Sequence, residues 1–117
     1  MYRKGVSALI INNNQEFLLV NLNSFEEKYF AIPGGGIEEE ETLEEAVYRE
    51  IKEELGIGKE LLECIGRSEK PLLTTFKVPK KEYVGSERYF FGFRFLGNDN
   101  EIKLQPDEVR MCKWVSF

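Results

Sequence analysis

Glu50, Glu53 and Glu54 are the residues of this chain whose type and spacing best suit chemistry. On a helix, which turns by about 100° per residue, Glu50 and Glu54 are i, i+4 neighbours and Glu53 stands i+3 from Glu50. All three gather on one side, and it is not the side that charges usually take. Glu54 projects between the directions of Leu43 and Val47, and Glu50 between those of Ala46 and Leu43. Both acids thus fall in or beside the apolar sector, while Glu45 and Lys52 mark the opposite face. Like charges at i, i+4 weaken a helix by about 0.2–0.5 kcal/mol, and burying them costs far more. A cation is needed there, and Arg49 can serve one acid but not three. Oxygen ligands without histidine or cysteine suit a hard cation, Mg²⁺ or Mn²⁺, which commonly joins protein carboxylates to substrate phosphates. In the second reading the helix is rotated so that the acids form a ladder of surface salt bridges. Spacing alone does not separate the two.

Composition narrows the chemistry further. The chain has no histidine, which removes His-based zinc sites, the Ser-His-Asp triad and His acid–base catalysis together. Its 21 acidic and 16 basic residues give a net charge of −5, which disfavours tight nucleic-acid binding through a basic face. Cys64 and Cys112 form neither a spaced pair nor a metal motif, and are expected to be buried thiols in a reducing cytosol. The longest apolar runs are Val6 to Ile11, broken by Ser7, and Phe17 to Val20, well short of the roughly 20 residues that cross a bilayer. Met1-Tyr2-Arg3-Lys4 does not lead into a signal-type apolar region. No membrane association and a cytoplasmic location are therefore expected.

At 117 residues and 42% hydrophobic, the sequence suits one domain, 1–117, with a packed core. The elements that must position the carboxylates are legible in outline. Val6–Ile11 and Glu16–Leu22 read as a hairpin across an asparagine-rich turn. A short strand is expected at Tyr29–Ile32, ended by an irregular turn at Pro33-Gly34-Gly35-Gly36. Thr42 and Glu45 have capping-box spacing, Leu43, Ala46, Val47, Ile51 and Leu55 recur at helical intervals, and Gly56 supplies the stop. Strands follow at 61–65, 72–78, 88–96 and 109–117, with turns at Pro79-Lys80-Lys81 and Gly97-Asn98-Asp99-Asn100. The pattern is a mixed sheet with one well-signalled helix, an α/β or α+β domain.

Gly35, Glu41 and the run Arg49-Glu50-Ile51-Lys52-Glu53-Glu54-Leu55-Gly56-Ile57 fill every fixed position of Gly-x5-Glu-x7-Arg-Glu-U-x-Glu-Glu-x-Gly-U, with U a bulky aliphatic residue. This resembles the Nudix box of the Nudix hydrolases. The flanks, from Tyr29 to Gly36 and from Asp107 through Trp114 to Val115, are similar to the family as well. The resemblance implies an α/β/α sandwich with a mixed sheet and a loop–helix–loop motif, and hydrolysis of a nucleoside diphosphate linked to a further group X. It also implies roles. Glu50 and Glu54 would be the main divalent-metal ligands, with Glu53 a further direct or water-mediated one and the Gly34 carbonyl a backbone ligand. Arg49 and Glu41 would form the ion pair that orients the loop and the acids. The base would be a box glutamate, Glu53 or Glu54, or an acid outside the box, for which Glu108 matches in position; the plain alternative makes Glu108 a turn acid. Asp107 is expected to point elsewhere.

Substrate choice lies outside the box. The small size and the Pro-Gly-Gly-Gly entry look most like the branch that cleaves nucleoside triphosphates, oxidised ones included. ADP-ribose, dinucleoside polyphosphates and RNA 5′ ends are the alternatives, the last through similarity between Ser86 and Phe95. Lys77, Lys80, Lys81, Arg88 and Arg94 are candidates to meet phosphates, and Tyr29, Phe30, Phe76 and Tyr83 to stack a base; the plain readings are solvated charges and core aromatics. A nucleotide-binding sensor module is the rival from outside enzymes, although modules of that kind often lose box carboxylates and this chain keeps them all. A calcium buffer is disfavoured, since no EF-hand loop is present. Family members commonly carry a second helix after the last strand, which this sequence lacks before Phe117. A partner, such as a second copy in a homodimer, is the other cover expected for that sheet face.

Overall fold

Thr42 opens the helix as its sequence indicates. In the computed structural model, whose described residues are all but Phe25 and Lys81 and exclude the side chains of 77–80, the Thr42 hydroxyl accepts from the Glu45 N–H at 3.1 Å. The Glu45 carboxylate accepts from the Thr42 N–H at 2.9 Å, which completes the capping box. The chain runs β1 (Tyr2–Ile11), β2 (Glu16–Leu22), β3 (Gly34–Gly36), α1 (Leu43–Leu55), β4 (Leu62–Arg67), β5 (Leu72–Lys80), β6 (Tyr83–Phe95) and β7 (Val109–Ser116). Gly56 ends α1 with a left-handed φ of 66°. Ala46, Val47, Ile51 and Leu55 are fully buried in one core with Val6, Ala8 and Ile10 of β1, Leu18 and Val20 of β2, and Phe91, Phe93 and Phe95 of β6. α1 is the one α-helix among the described residues, as expected from a sequence with one well-signalled helix.

The sheet is mixed, in the order β4-β6-β1-β2-β7, with β5 on β6 and β3 on β1. β1 and β6 run parallel from Tyr2↔Gly85 to Ile11↔Arg94. The expected β1–β2 hairpin forms, but its strands pair at Ile11↔Phe17 and then part. Residues 31–36 fill the opening. Ala31 and Val20 exchange both backbone bonds at 2.8 and 3.0 Å, the Ala8 N–H donates to the Pro33 carbonyl at 2.8 Å, and Gly34–Gly36 pair with Gly5–Ser7. The expected strand at Tyr29–Ile32 is thus reduced to a bridge at Ala31, and the glycine run expected to be a turn is the strand. Close approach explains the change. A Cβ on Gly34 would collide with the Val6 carbonyl, and one on Gly35 with the Glu50 carboxylate.

Two smaller expectations also change. Pro79 and Lys80 belong to β5, so the turn between β5 and β6 falls later in the chain. Cys64 is exposed, because β4 lies at the sheet edge and Cys64 sits at a register shift; Cys112 is half-buried. The glycine wedge generates a prediction. Gly34→Ala should lower stability by about 1–3 kcal/mol, the usual cost of overpacking a tight site. Gly66→Ala, where an added Cβ meets nothing within 4 Å, should stay within about 0.5 kcal/mol of wild type. Urea midpoints measure both, and equal shifts would contradict the wedge.

Candidate active site

The helix carries its acids toward the glycine strand. Glu54 lies on the buried face of α1 with 3% of its surface exposed, and the Gly34 N–H points to its Oε1 at 3.4 Å. The Glu50 side chain is 12% exposed and lies where a Gly35 side chain would otherwise be. The helix is therefore not rotated to expose these two acids, which excludes a surface ladder for them. Burial raises the Glu54 carboxyl to about 8, with the neighbouring Glu50 charge adding to the shift and the Gly34 N–H opposing it. Burial also raises Glu50, even though Arg49 counters it.

Arg49 binds most of the remaining charge. Its Nε and Nη2 grip Glu41 at 2.6 and 3.0 Å, Nη2 also donates to the Gly36 carbonyl at 2.9 Å, and Nη1 reaches Glu50 at 2.9 Å and Glu53 at 3.2 Å. Glu38 adds a further pairing at 3.1 Å. The bidentate bond to Arg49 holds Glu41 below the usual carboxylate range, and Glu41 is the main cause of a raised Arg49 guanidinium. Arg49 thus ties the loop before α1, β3 and the helix into one unit.

Two adjoining cavities open on this unit. The smaller, about 370 Å³, is lined by Gly34–Gly36, Glu50, Glu54, Asp107 and Glu108, with Asn23 and Arg3 at its rim. The larger, about 630 Å³, takes in Glu50, Glu53 and Arg49 together with Tyr2, Arg3, Lys4 and Tyr83. The candidate residues are therefore divided. Glu50 borders both cavities, Glu54 and Glu108 share one, and Glu53 faces the other. Asp107 lines the same cavity as Glu108, against expectation. The turn closed by Glu108 and Val109 N–H bonds to the Gln105 carbonyl does not alternate its side chains as a strand does.

Of the candidate phosphate contacts, Arg88 donates to the Val6 carbonyl at 3.0 Å and the Ser7 hydroxyl at 2.9 Å. Its guanidinium is lowered by burial and by nearby Arg3. Arg94 instead pairs with Glu63 at 3.2 Å on the sheet edge. The side chains of Lys77 and Lys80, and Lys81 as a whole, lie outside what the structure describes. Among the aromatics, Tyr83 lines the larger cavity, Phe76 is half-buried, Tyr29 is exposed, and Phe30 lies under the Lys113 ammonium at 4.0 Å. Sequence reasoning missed Arg3. Its guanidinium lies where a Gly36 side chain would be, and only the β1–β3 register brings it to the carboxylates.

The donor set suits a hard divalent ion, since it consists of carboxylate oxygens, with buried Glu54 beside half-buried Glu50 where a proton otherwise relieves the charge. Among the described residues no three carboxylates or thiols already stand in metal-ligand geometry.

The NUDIX domain family model matches residues 1–117. This chain belongs to the Nudix family. As a member it is a pyrophosphohydrolase, and Nudix hydrolases as a group use divalent metals. The RNA pyrophosphohydrolase of Zymomonas mobilis is 32% identical over 122 aligned residues, which cover 97% of this Nudix chain and 79% of that protein. That of Orientia tsutsugamushi is 31% identical over 98% of this chain and 75% of its own length. Among solved structures, the Escherichia coli dihydroneopterin triphosphate pyrophosphohydrolase superposes with a TM-score of 0.81 at 18% identity, covering 99% of this chain and 83% of its own. A Caenorhabditis elegans Ap4A hydrolase complex superposes at 0.77 and 23%, covering 97% and 80%. These two establish the Nudix fold alone. No helix among the described residues is long and apolar enough to cross a membrane.

Glu54 makes metal-free stability depend on pH. Its folded value, about 8, lies above the ordinary 4.5, so between these values the folded state retains a proton that the unfolded state has lost. Stability must then fall as pH rises through that window. In EDTA, the melting temperature of wild type should drop from pH 5 to pH 8 more steeply than that of Glu54→Gln. Parallel curves would contradict a buried, proton-holding Glu54.

Proposed function

We propose that this chain hydrolyses a phosphoric anhydride bond at the 5′-polyphosphate end of RNA, using Mg²⁺ or Mn²⁺ held by Glu50 and Glu54. Glu53, Glu108 and the Gly34 carbonyl are further candidate ligands. The observation that carries this is the arrangement around β3, with carboxylates on one side of the glycine strand and Arg3 and Arg88 on the other. A bound cation supplies neutralisation of the phosphoryl oxygens and activation of water. The chain's own residues do the rest. Arg49, held by Glu41, fixes the direction of Glu50 and Glu53. Arg3, which lines both cavities, meets phosphate charge that the acids alone would repel, and Arg88 adds positive charge from behind the strand. The oxygen of water bonds to phosphorus, the anhydride P–O bond breaks, and a carboxylate takes the proton. Glu108 suits that task, since it is exposed on the cavity that Glu54 shares, whereas Glu53 is engaged with Arg49.

RNA is preferred here over the free nucleoside triphosphate that the sequence favoured. Curated relatives matched across nearly the whole chain are RNA pyrophosphohydrolases. The two cavities meet at Arg3, Gly36 and Glu50, which leaves room for phosphates in one and the first nucleotides in the other. The net charge of −5 limits contact with the rest of an RNA, so recognition would fall on the end. Free Cys64 and Cys112 suit a reducing compartment, the cytoplasm.

Product analysis tests this reading. A short 5′-triphosphorylated RNA, nucleoside triphosphates, 8-oxo-dGTP, ADP-ribose and a diadenosine polyphosphate are compared with Mg²⁺ and with Mn²⁺. The RNA should become monophosphorylated with the highest kcat/KM, and Glu54→Gln should slow it by at least about 10²-fold. A free nucleotide cleaved more than about tenfold better than RNA, some 1.4 kcal/mol in transition-state binding, would restore the earlier choice. Hydrolysis of none would support a sensor module.

A further inference from the structure

The β2–β7 ladder contains one irregularity, and it lies beside the active site. The strands pair from Glu16↔Ser116 to Asn21↔Met111, and the next pair is Leu22↔Val109, which leaves Arg110 as the extra residue of a bulge. A bulge re-aims the side chain it carries. Here the Arg110 Nη1 donates to the Asn21 Oδ1 at 2.7 Å, and Nη2 donates to the Asn23 carbonyl at 3.3 Å. Asn21 is fully buried, and its amide N–H groups donate to the carbonyls of Glu26 at 2.9 Å and Tyr29 at 2.6 Å. A buried carboxamide satisfied on both donors and its acceptor is a fixed point. Asn23 continues the connection to the loop that bears Glu108. Its N–H donates to the Glu108 carbonyl at 2.8 Å, and its side-chain amide donates to the Pro106 carbonyl at 2.7 Å. The loop carrying Glu108 is thus fastened to the end of β2.

We propose that Arg110 is a positioning residue which, with Asn21 and Asn23, sets the reach of Glu108 across the cavity to Glu54 and Glu50. Glu108 is exposed and lines the cavity of about 370 Å³ that Glu50 and Glu54 also line. The other end of this segment is anchored on α1, where the Lys103 N–H donates to the Leu55 carbonyl at 2.7 Å and the Gln105 N–H to the Glu54 carbonyl at 3.3 Å, so Arg110, Asn21 and Asn23 hold the end that bears Glu108. The proposal rests on the functional reading of Glu108 given above. It adds that Glu108 works only while the bulge holds its loop.

A double-mutant cycle tests this. The turnover of wild type, Arg110→Met, Glu108→Gln and the combined variant is measured at saturating Mg²⁺ on whichever nucleotide polyphosphate the wild type cleaves fastest. Arg110→Met should lower kcat by about five- to tenfold with KM changed less than about twofold, while in the Glu108→Gln background it should cost less than about twofold. Arg94→Met removes an equal charge at the Glu63 pair on the sheet edge and should leave kcat unchanged. Asn23→Ala, which takes away the bond to Pro106, runs through the same cycle and should behave as Arg110→Met does, so the test stands if one variant folds poorly. Equal losses in both backgrounds, an equal loss in Arg94→Met, or a Glu108→Gln enzyme as fast as wild type would each overturn the proposal while leaving the hydrolase reading intact. A wild type that cleaves no polyphosphate overturns both.

Discussion

Two carboxylates, Glu50 and Glu54, occupy positions on α1 that hydrophobic burial would otherwise give to aliphatic side chains. Glu54 lies one position before Leu55 and one turn after Glu50, on the surface that packs against the sheet. Burying two like charges side by side is unfavourable unless a proton or a cation relieves them. The raised Glu54 carboxyl is the proton-bound form of that relief. The rest of the site is arranged around the same requirement. Arg49 draws part of the charge to itself through Glu41, Glu50 and Glu53, and the glycine strand brings backbone, not side chains, against the acids.

The strand β3 exists because β1 and β2 part after one pair. Continuous pairing of the hairpin would close the sheet and leave the Gly34–Gly36 segment nowhere to lie. Its three glycines let the chain pass between Val6 and Ser7 on one side and the Glu50 carboxylate on the other. The wedge brings the arginines of β1 and β6 within reach of the acids of α1 while keeping the two sets on opposite sides of a backbone. Opposed charges held apart by a thin strand suit a substrate that brings its own negative charge and needs both a cation and an arginine to bind. The bulge at Arg110 does the corresponding work on the far wall.

What the sequence made legible was local. The capping box of Thr42 and Glu45, the Gly56 stop and the misplacement of Glu54 on the helix wheel follow from spacing within a few turns, and all appear in the structure. The family pattern added the Arg49–Glu41 pair, formed as the resemblance implied. The failures were non-local. A glycine run reads as a turn by composition, and only its partner strand makes it β-structure. Cys64 reads as core by type, but strand order puts it at an edge. Asp107 lines the cavity together with its neighbour Glu108 because a turn does not alternate its side chains as a strand does. Arg3, Asn21 and Arg110 act through strands far apart in the chain, and nothing in their immediate neighbours marks them.

Whether Glu50 and Glu54 hold a divalent cation is tested most directly by titrating Mn²⁺ into the protein without nucleotide, with free Mn²⁺ followed by electron paramagnetic resonance. Wild type should bind the ion, and the Glu50→Gln/Glu54→Gln protein, equal in shape and relieved of both charges, should lose at least about tenfold in affinity, some 1.4 kcal/mol. The Arg49 pairing with Glu41 should survive in the variant, so its melting temperature in EDTA should not fall below that of wild type at pH 8. Equal Mn²⁺ affinity in the two proteins would contradict the account, because the acids buried on α1 would then have no part in holding the ion.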